Sequence, residues 1–227
     1  MVNIDTVYQR VLILANKEQR GYITPQEFNL YANNAQIEIF EQYFYDTNQF
    51  ARVPGNEFVY ADVDDMLEEK LQIFQAEITG LSNGSTIPSS VYRVYKIEGQ
   101  GGTDYEILKT SDFSNLANAP YLIRPTAARP VANIRGNTLY LNPPSLSSTS
   151  LFHFRKPNKV SWGYFVLRQK ALHDSDPLKT QHFELHPSEE TELVYKILKL
   201  AGLGTKRDDV AKGGQGLESL QIQQEKQ

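Results

Sequence analysis

Between Arg20 and Phe50 the apolar positions recur at steps of three and four, through Phe28, Tyr31, Ala32, Ala35, Ile39 and Tyr43. That spacing is one face of a helix. Ile37, Phe40 and Phe44 widen the face beyond a single stripe. A helix apolar over so much of its girth must pack against several neighbours, so the pattern places it at the centre of a helical bundle. Its start is also written locally. Thr24 can accept from an early helix N–H, Pro25 suits the first helical position, and Glu27 can reach back to complete a capping box.

Helical spacing continues on either side. Val7, Val11, Leu12 and Ala15 line one face of a helix expected over Asn3 to Gln19, which Gly21 ends. Pro54-Gly55 is a turn, and Asp62 with the acids after it opens a third helix carrying Val63, Met66, Leu67, Leu71 and Phe74. Near Gln75 the period drops from about 3.6 to 2. Asn83-Gly84 signals a hairpin returning through Thr86-Ile87-Pro88, and Val91 to Glu98 alternates like a strand. Thr110 to Asn118 reads as a short helix. Val131 to Arg135 and Thr138 to Leu141 read as a second hairpin around Gly136-Asn137, with further short strands at Leu151 to Arg155 and Phe183 to Leu185.

At Pro187 the helical period returns. Ser188 is a good N-cap, Glu189, Glu190 and Glu192 load the first turn, and Leu193, Ile197, Leu200 and Ala201 make a buried face that Gly202 should end. From Lys206 the chain is polar and glycine-rich, with Leu217, Leu220 and Ile222 its last apolar residues. The expected fold is α+β: an antiparallel helical bundle from residues 1–75 and 187–204, a small β domain inserted at 76–186, and a flexible C-terminal docking tail at 205–227.

Composition narrows the chemistry. The 227 residues contain no cysteine, which excludes disulfides, zinc–thiolate sites and thiol nucleophiles and fits a reducing cytoplasm. No apolar run approaches the roughly 20 residues needed to span a bilayer, and the first residues show no secretory signal. A net charge of −4 argues against a general nucleic-acid binder. That average conceals an asymmetry. Ile37 to Ile78 carries ten acidic residues against Arg52 and Lys70, whereas Phe113 to His173 carries eight basic residues and no acid. Two readings stand: ordinary solvated faces, or halves that meet within one subunit or between copies.

Catalytic and metal motifs are imitated rather than present. Asn16 to Glu27 places Gly21, Ile23 and Glu27 where a calcium loop wants them, but Arg20 falls where a ligand oxygen is required and Pro25 is foreign to the pattern. A helix–turn–helix with a capping box explains the same residues. His182, Glu184 and His186 would share one face of a strand, with nothing to specify a fourth ligand. His173-Asp174-Ser175-Asp176-Pro177 reads as a turn, and Gly99-Gln100-Gly101-Gly102 lacks the helix and lysine of a phosphate loop. Trp162, near Lys159 and Tyr164, reads as a packing or interface residue.

Two blocks carry a resemblance. Val7 to Phe50, with its Asn16-Lys17-Glu18-Gln19-Arg20-Gly21-Tyr22-Ile23-Thr24-Pro25 turn and its Phe40-Glu41-Gln42-Tyr43-Phe44 run, resembles virion structural proteins of tailed phages. Leu185-His186-Pro187-Ser188-Glu189-Glu190-Thr191-Glu192-Leu193 and the terminal Gln223-Gln224-Glu225-Lys226-Gln227 strengthen it. The order of helices, β insert and returning helix looks like the head-to-tail adaptors (connector or tail-tubular proteins) of short-tailed phages. This resemblance implies a non-enzymatic virion protein at the head–tail junction, made in the host cytoplasm. It implies a homo-oligomeric ring, commonly a dodecamer, between the portal protein and other tail or ring proteins. DNA would pass through the lumen without sequence-specific binding, as it does in genome ejection, and neither a membrane nor a cofactor is expected.

In that family the C-terminal segment docks on the portal, which assigns docking here to Leu217, Leu220 and Ile222. A ring needs a heterologous contact and invites complementary charge, so Glu68 and Glu69 against Arg155 and Lys156 are the expected subunit-interface residues. The alternative is a small metal- or calcium-binding regulatory module built on the Asn16 loop and the histidines. A hydrolase with dispersed residues is a third reading.

Overall fold

The capping box forms as its residues require. Glu27 Oε2 accepts from the Thr24 N–H at 2.9 Å and from its hydroxyl at 2.7 Å, while the Glu27 N–H donates to Thr24 Oγ1 at 3.3 Å. From that start helix α2 runs over Pro25–Phe50. The structure, a computed structural model, describes residues 1–16, 23–50, 57–120, 123–145, 148–204 and 208–225, without the side chains of 48–50, 57–64, 203–204, 208–211 and 221–225. Residues 17–22 of the calcium-like loop and the Pro54-Gly55 turn lie outside the described residues. The other helices are α1 Ile4–Asn16, α3 Glu57–Gln72, α4 Thr110–Ala117, α5 Glu190–Gly204 and α6 Asp208–Glu225. The strands are β1 Gln75–Leu81, β2 Val91–Glu98, β3 Glu106–Ile107, β4 Val131–Arg135, β5 Thr138–Asn142, β6 Thr149–Arg155, β7 Tyr164–Leu167 and β8 Lys170–His173. They form two compact units, Met1–Ile73 with Pro157–Gln227, and Phe74–Lys156.

In the first unit α5 packs against α1, α2 and α6, and α2 also meets α3. Phe28, Ala32, Ala35, Ile39 and Phe40 of α2 are buried, with Val7 and Val11 of α1 and Leu193 and Ile197 of α5. The ring of Tyr8 meets that of Phe28 edge-on at 4.7 Å.

A second side of α2 is polar and equally committed. Asn29, Asn33 and Gln36 are spaced to share a face. The Asn29 side chain accepts from the Trp162 N–H at 2.7 Å and donates to the Trp162 carbonyl at 3.4 Å. Asn33 treats Val160 the same way, at 3.0 and 2.9 Å. Gln36 donates to the Asn158 carbonyl at 2.8 Å and accepts from the Glu184 N–H at 3.1 Å. Glu184 closes the set, its carboxylate accepting from the Asn158 N–H and side-chain amide, both at 2.9 Å. Three helix side chains thus take the place of a neighbouring strand for residues 158, 160 and 162. Buried backbone groups with no such partner would be costly.

The antiparallel helical bundle expected from periodicity is therefore corrected. Six helices and three small sheets among the described residues make a mixed α+β protein. α2 gives one side to helices, one to an extended segment and one to solvent, because the polar residues between its apolar ones take backbone partners. The division of the chain differs too. Residues 157–186, expected inside the β insert, belong to the helical unit, where β7 and β8 pair with each other. Phe183 to Leu185 is no strand; single bridges join Val2 to Phe183 and Ser161 to Gln181. The expected flexible tail is corrected as well: α5 runs past Gly202 to Gly204, and α6 packs on it.

In the second unit β6 is central in an antiparallel β1-β6-β2 sheet, and β4 lies between β3 and β5. Leu81, Ile97, Tyr105, Leu139, Leu141 and Leu151 are in its core. The β4–β5 hairpin turns at Gly136, whose φ of 58° favours glycine, and α4 stands where the spacing placed it. The Asn83-Gly84 hairpin does not form. β1 pairs with β6, and the Gly84 and Ile87 N–H groups donate to the Leu139 and Asn137 carbonyls instead.

Asn33→Ala should leave the buried Val160 N–H and carbonyl unpaired and cost about 2–4 kcal/mol. Urea unfolding of both proteins measures it. An unchanged midpoint would mean that the segment is held by its apolar contacts alone.

Candidate functional site

Among the exposed apolar residues of the first unit, which also include Met1, Ile13, Met66 and Leu178, two groups each lie together on one element. The first is the β7–β8 hairpin. Cross-strand pairs are Tyr164 with His173, Phe165 with Leu172, Val166 with Ala171 and Leu167 with Lys170. Alternation sends Tyr164 and His173 to one face, where both stack on the Trp162 ring at 5.9 and 5.6 Å. Trp162 is itself buried, and its indole N–H donates to Asp5 at 2.9 Å. The opposite face carries Phe165, Leu167 and Leu172, which remain 47%, 55% and 41% exposed, beside Lys170. The two-residue turn holds Arg168 and Gln169 at φ of 48° and 64°, a conformation glycine or asparagine usually supplies. That backbone strain marks a place to look for function.

The second surface is the outer side of α2. Leu30, Ile37 and Tyr45 are exposed on one stripe, with the exposed carboxylates Glu38 and Glu41 between them. Ile37, expected to widen the buried face, points to solvent instead.

Charge ties α5 to α6 and α2. Lys196 Nζ, buried on α5, lies 2.8 Å from Glu218 and 3.3 Å from Glu192, and donates to Gln42 of α2 at 3.3 Å. Lys199 reaches the second Glu218 oxygen at 2.8 Å. Burial alone would lower the Lys196 pKa, but the Glu218 hydrogen bond and the two carboxylates outweigh it and hold it above the ordinary value. Burial likewise acts to raise Glu218, and Lys196 and Lys199 hold it below the ordinary value. Gly214 permits this approach, since a Cβ there would lie 2.9 Å from the Lys199 backbone nitrogen. Lys70 of α3 meets the buried Glu189 at 2.6 Å.

The residues singled out from the sequence are dispersed. Glu68 and Glu69 are exposed on α3, with Glu69 3.9 Å from His186. Arg155 ends β6 and Lys156 follows it in the other unit, where the Arg155 N–H donates to the Phe74 carbonyl. Leu217 and Leu220 are exposed on α6, and the Ile222 side chain lies outside the described residues. Glu218, between them, is buried, so cutting the chain at Leu217 removes an ion pair of the folded subunit. His182, Glu184 and His186 do not converge. Glu184 serves Asn158, His182 Nδ1 accepts from the Ile4 N–H at 3.4 Å, and His186 Nδ1 lies 2.8 Å from the Ser188 hydroxyl. Among the described residues no three side chains of metal-ligating type come together, and no helix is long and apolar enough to cross a membrane.

The second unit offers open clefts. One, of about 390 Å³, is lined by Gly99, Gly101, Thr103 and Tyr105, whose buried hydroxyl has no hydrogen-bond partner. Burial pushes that phenol up. No family model matches the chain, and no curated protein matches it.

The Lys196–Glu218 pair predicts a pH dependence with a definite sign. Glu218 is lowered, so its stabilisation is present above the ordinary carboxylate pKa of about 4.3 and lost as pH falls through the lowered value. Lys196 is raised, so its share is present below about 10.4 and lost as pH rises through the raised value. Glu218→Gln should cost about 3 kcal/mol near neutrality. The Tm difference from the parent protein should shrink below about pH 4 as the parent's own carboxylate protonates. A difference that persists undiminished to about pH 2 would remove the ion pair from the account of α6 docking.

Proposed function

We propose that this chain is a non-enzymatic structural subunit of a tailed-phage particle, a ring-forming adaptor at the head–tail junction that binds the portal and lets DNA pass. The observation that carries the reading is the pair of uncovered apolar surfaces on one unit, the α2 stripe and the β7–β8 hairpin. Two unlike patches on one subunit suit a heterologous contact, and heterologous contacts close into rings when the rotation allows. The resemblance of the Val7-to-Phe50 block to phage virion proteins supplies the setting. Charge adds to it: the Phe74–Lys156 unit carries eight basic against five acidic residues, +3, and the remainder fifteen against twenty-two, −7. Oppositely charged units guide the register of one copy on the next. Glu68 and Glu69 with Arg155 and Lys156 stay part of this proposal as contacts between neighbours. Leu217 and Leu220, exposed on a docked helix, stay as contacts for the portal.

Negative-stain images of the purified protein should show annular particles with a central hole, and the rings should weaken as salt rises, because at 1 M the Debye length is only about 3 Å. Monomers at every concentration, or open filaments, would overturn the ring.

A further inference from the structure

We propose that the two uncovered surfaces are partners: the Phe165–Leu167–Leu172 face of one copy's hairpin docks on the outer stripe of α2 in a second copy. This rests on the reading of the chain as a self-assembling subunit and names the contact.

Dimensions agree. Ile37 and Tyr45 are eight residues apart, about 12 Å along a helix. The hairpin strands are four residues each, about 13 Å. Its apolar face therefore spans one step of the stripe, with Leu30 at the margin. Charge agrees as well. The hairpin brings Arg168 and Lys170 to the end of that face, and the stripe sets Glu38 and Glu41 between its apolar residues. A hairpin face meeting a second hairpin face, or a stripe meeting a second stripe, offers no such complementary charge. The donor is prepared for docking. Trp162 fixes the base of the hairpin through its ring stacks and its bond to Asp5, so little freedom is lost on contact. Within one copy the two surfaces do not cover each other, since Phe165, Leu167, Ile37 and Tyr45 all remain exposed.

Sedimentation velocity on the full chain over a concentration series tests the pairing. Phe165→Ser with Leu167→Ser removes only exposed apolar groups and should weaken self-association by about tenfold or more. Arg168→Glu with Lys170→Glu should impair assembly, as should Glu38→Lys with Glu41→Lys. An equimolar mixture of these two charge variants should assemble, because every contact in an alternating array is then complementary. Variants that assemble like the parent protein would overturn this contact and leave the ring reading standing. Open chains sensitive to the same variants would support the contact and overturn the ring. A parent protein that stays monomeric throughout would overturn both.

Discussion

The first unit depends on a substitution of side-chain amides for a β-strand. Asn29, Asn33 and Gln36 present one donor and one acceptor each, and the segment from Asn158 to Trp162 presents its backbone groups on alternate residues. An extended chain buried against a helix has no ladder to satisfy it, and an amide side chain is the shortest group that can complete both bonds of one residue. Once Val160 and Trp162 are held there, both lie buried, and the Trp162 ring is set against Tyr8 at 4.2 Å. The hairpin base stacks on the same indole. A choice made on the polar side of α2 thus reaches a surface far along the chain.

α2 is consequently a helix with three obligations. Its apolar face serves the core with α1 and α5, its amide face serves the extended segment, and its outer stripe is left exposed by the described residues. A monomer would gain from polar residues at Leu30, Ile37 and Tyr45, since single exposed apolar side chains are common but an ordered stripe of them invites a partner. The same holds for a hairpin whose free face is apolar and whose turn is strained. Stability held elsewhere, by the Lys196 cluster and the Lys70–Glu189 pair, leaves both surfaces available for assembly.

Local chemistry was legible in the sequence and distant chemistry was not. Thr24, Pro25 and Glu27 announced a helix start because every partner lies within three residues, and Gly136 marked the β4–β5 turn for the same reason. The amides of α2 gave no such signal, since their backbone partners are more than 120 residues away. Periodicity counted the apolar positions correctly as helical but could not say which of them a neighbour covers, which is how Ile37 came to be placed inward. The segment after Gly204 looked too polar to pack; Gly214 permits close approach to α5, and its buried carboxylate is matched by two lysines there. The hairpin of β7 and β8 was missed because Arg168-Gln169 carries none of the residues that normally mark a left-handed turn. The one signal available was the Phe165-Val166-Leu167 run followed by Ala171-Leu172. Of the expected interface, Glu68 and Glu69 are exposed, whereas Arg155 and Lys156 fall in the other unit.

Amide hydrogen exchange followed residue by residue by NMR tests the amide ladder most directly. Val160 and Trp162 lie outside any helix, and their backbone N–H groups donate to the side chains of Asn33 and Asn29. Their N–H groups should exchange about as slowly as the most protected amides of α2, within roughly tenfold, because all open together in global unfolding. Exchange of Val160 and Trp162 at the rate of an exposed loop would show that the ladder does not hold this segment, and the account built on it would fail.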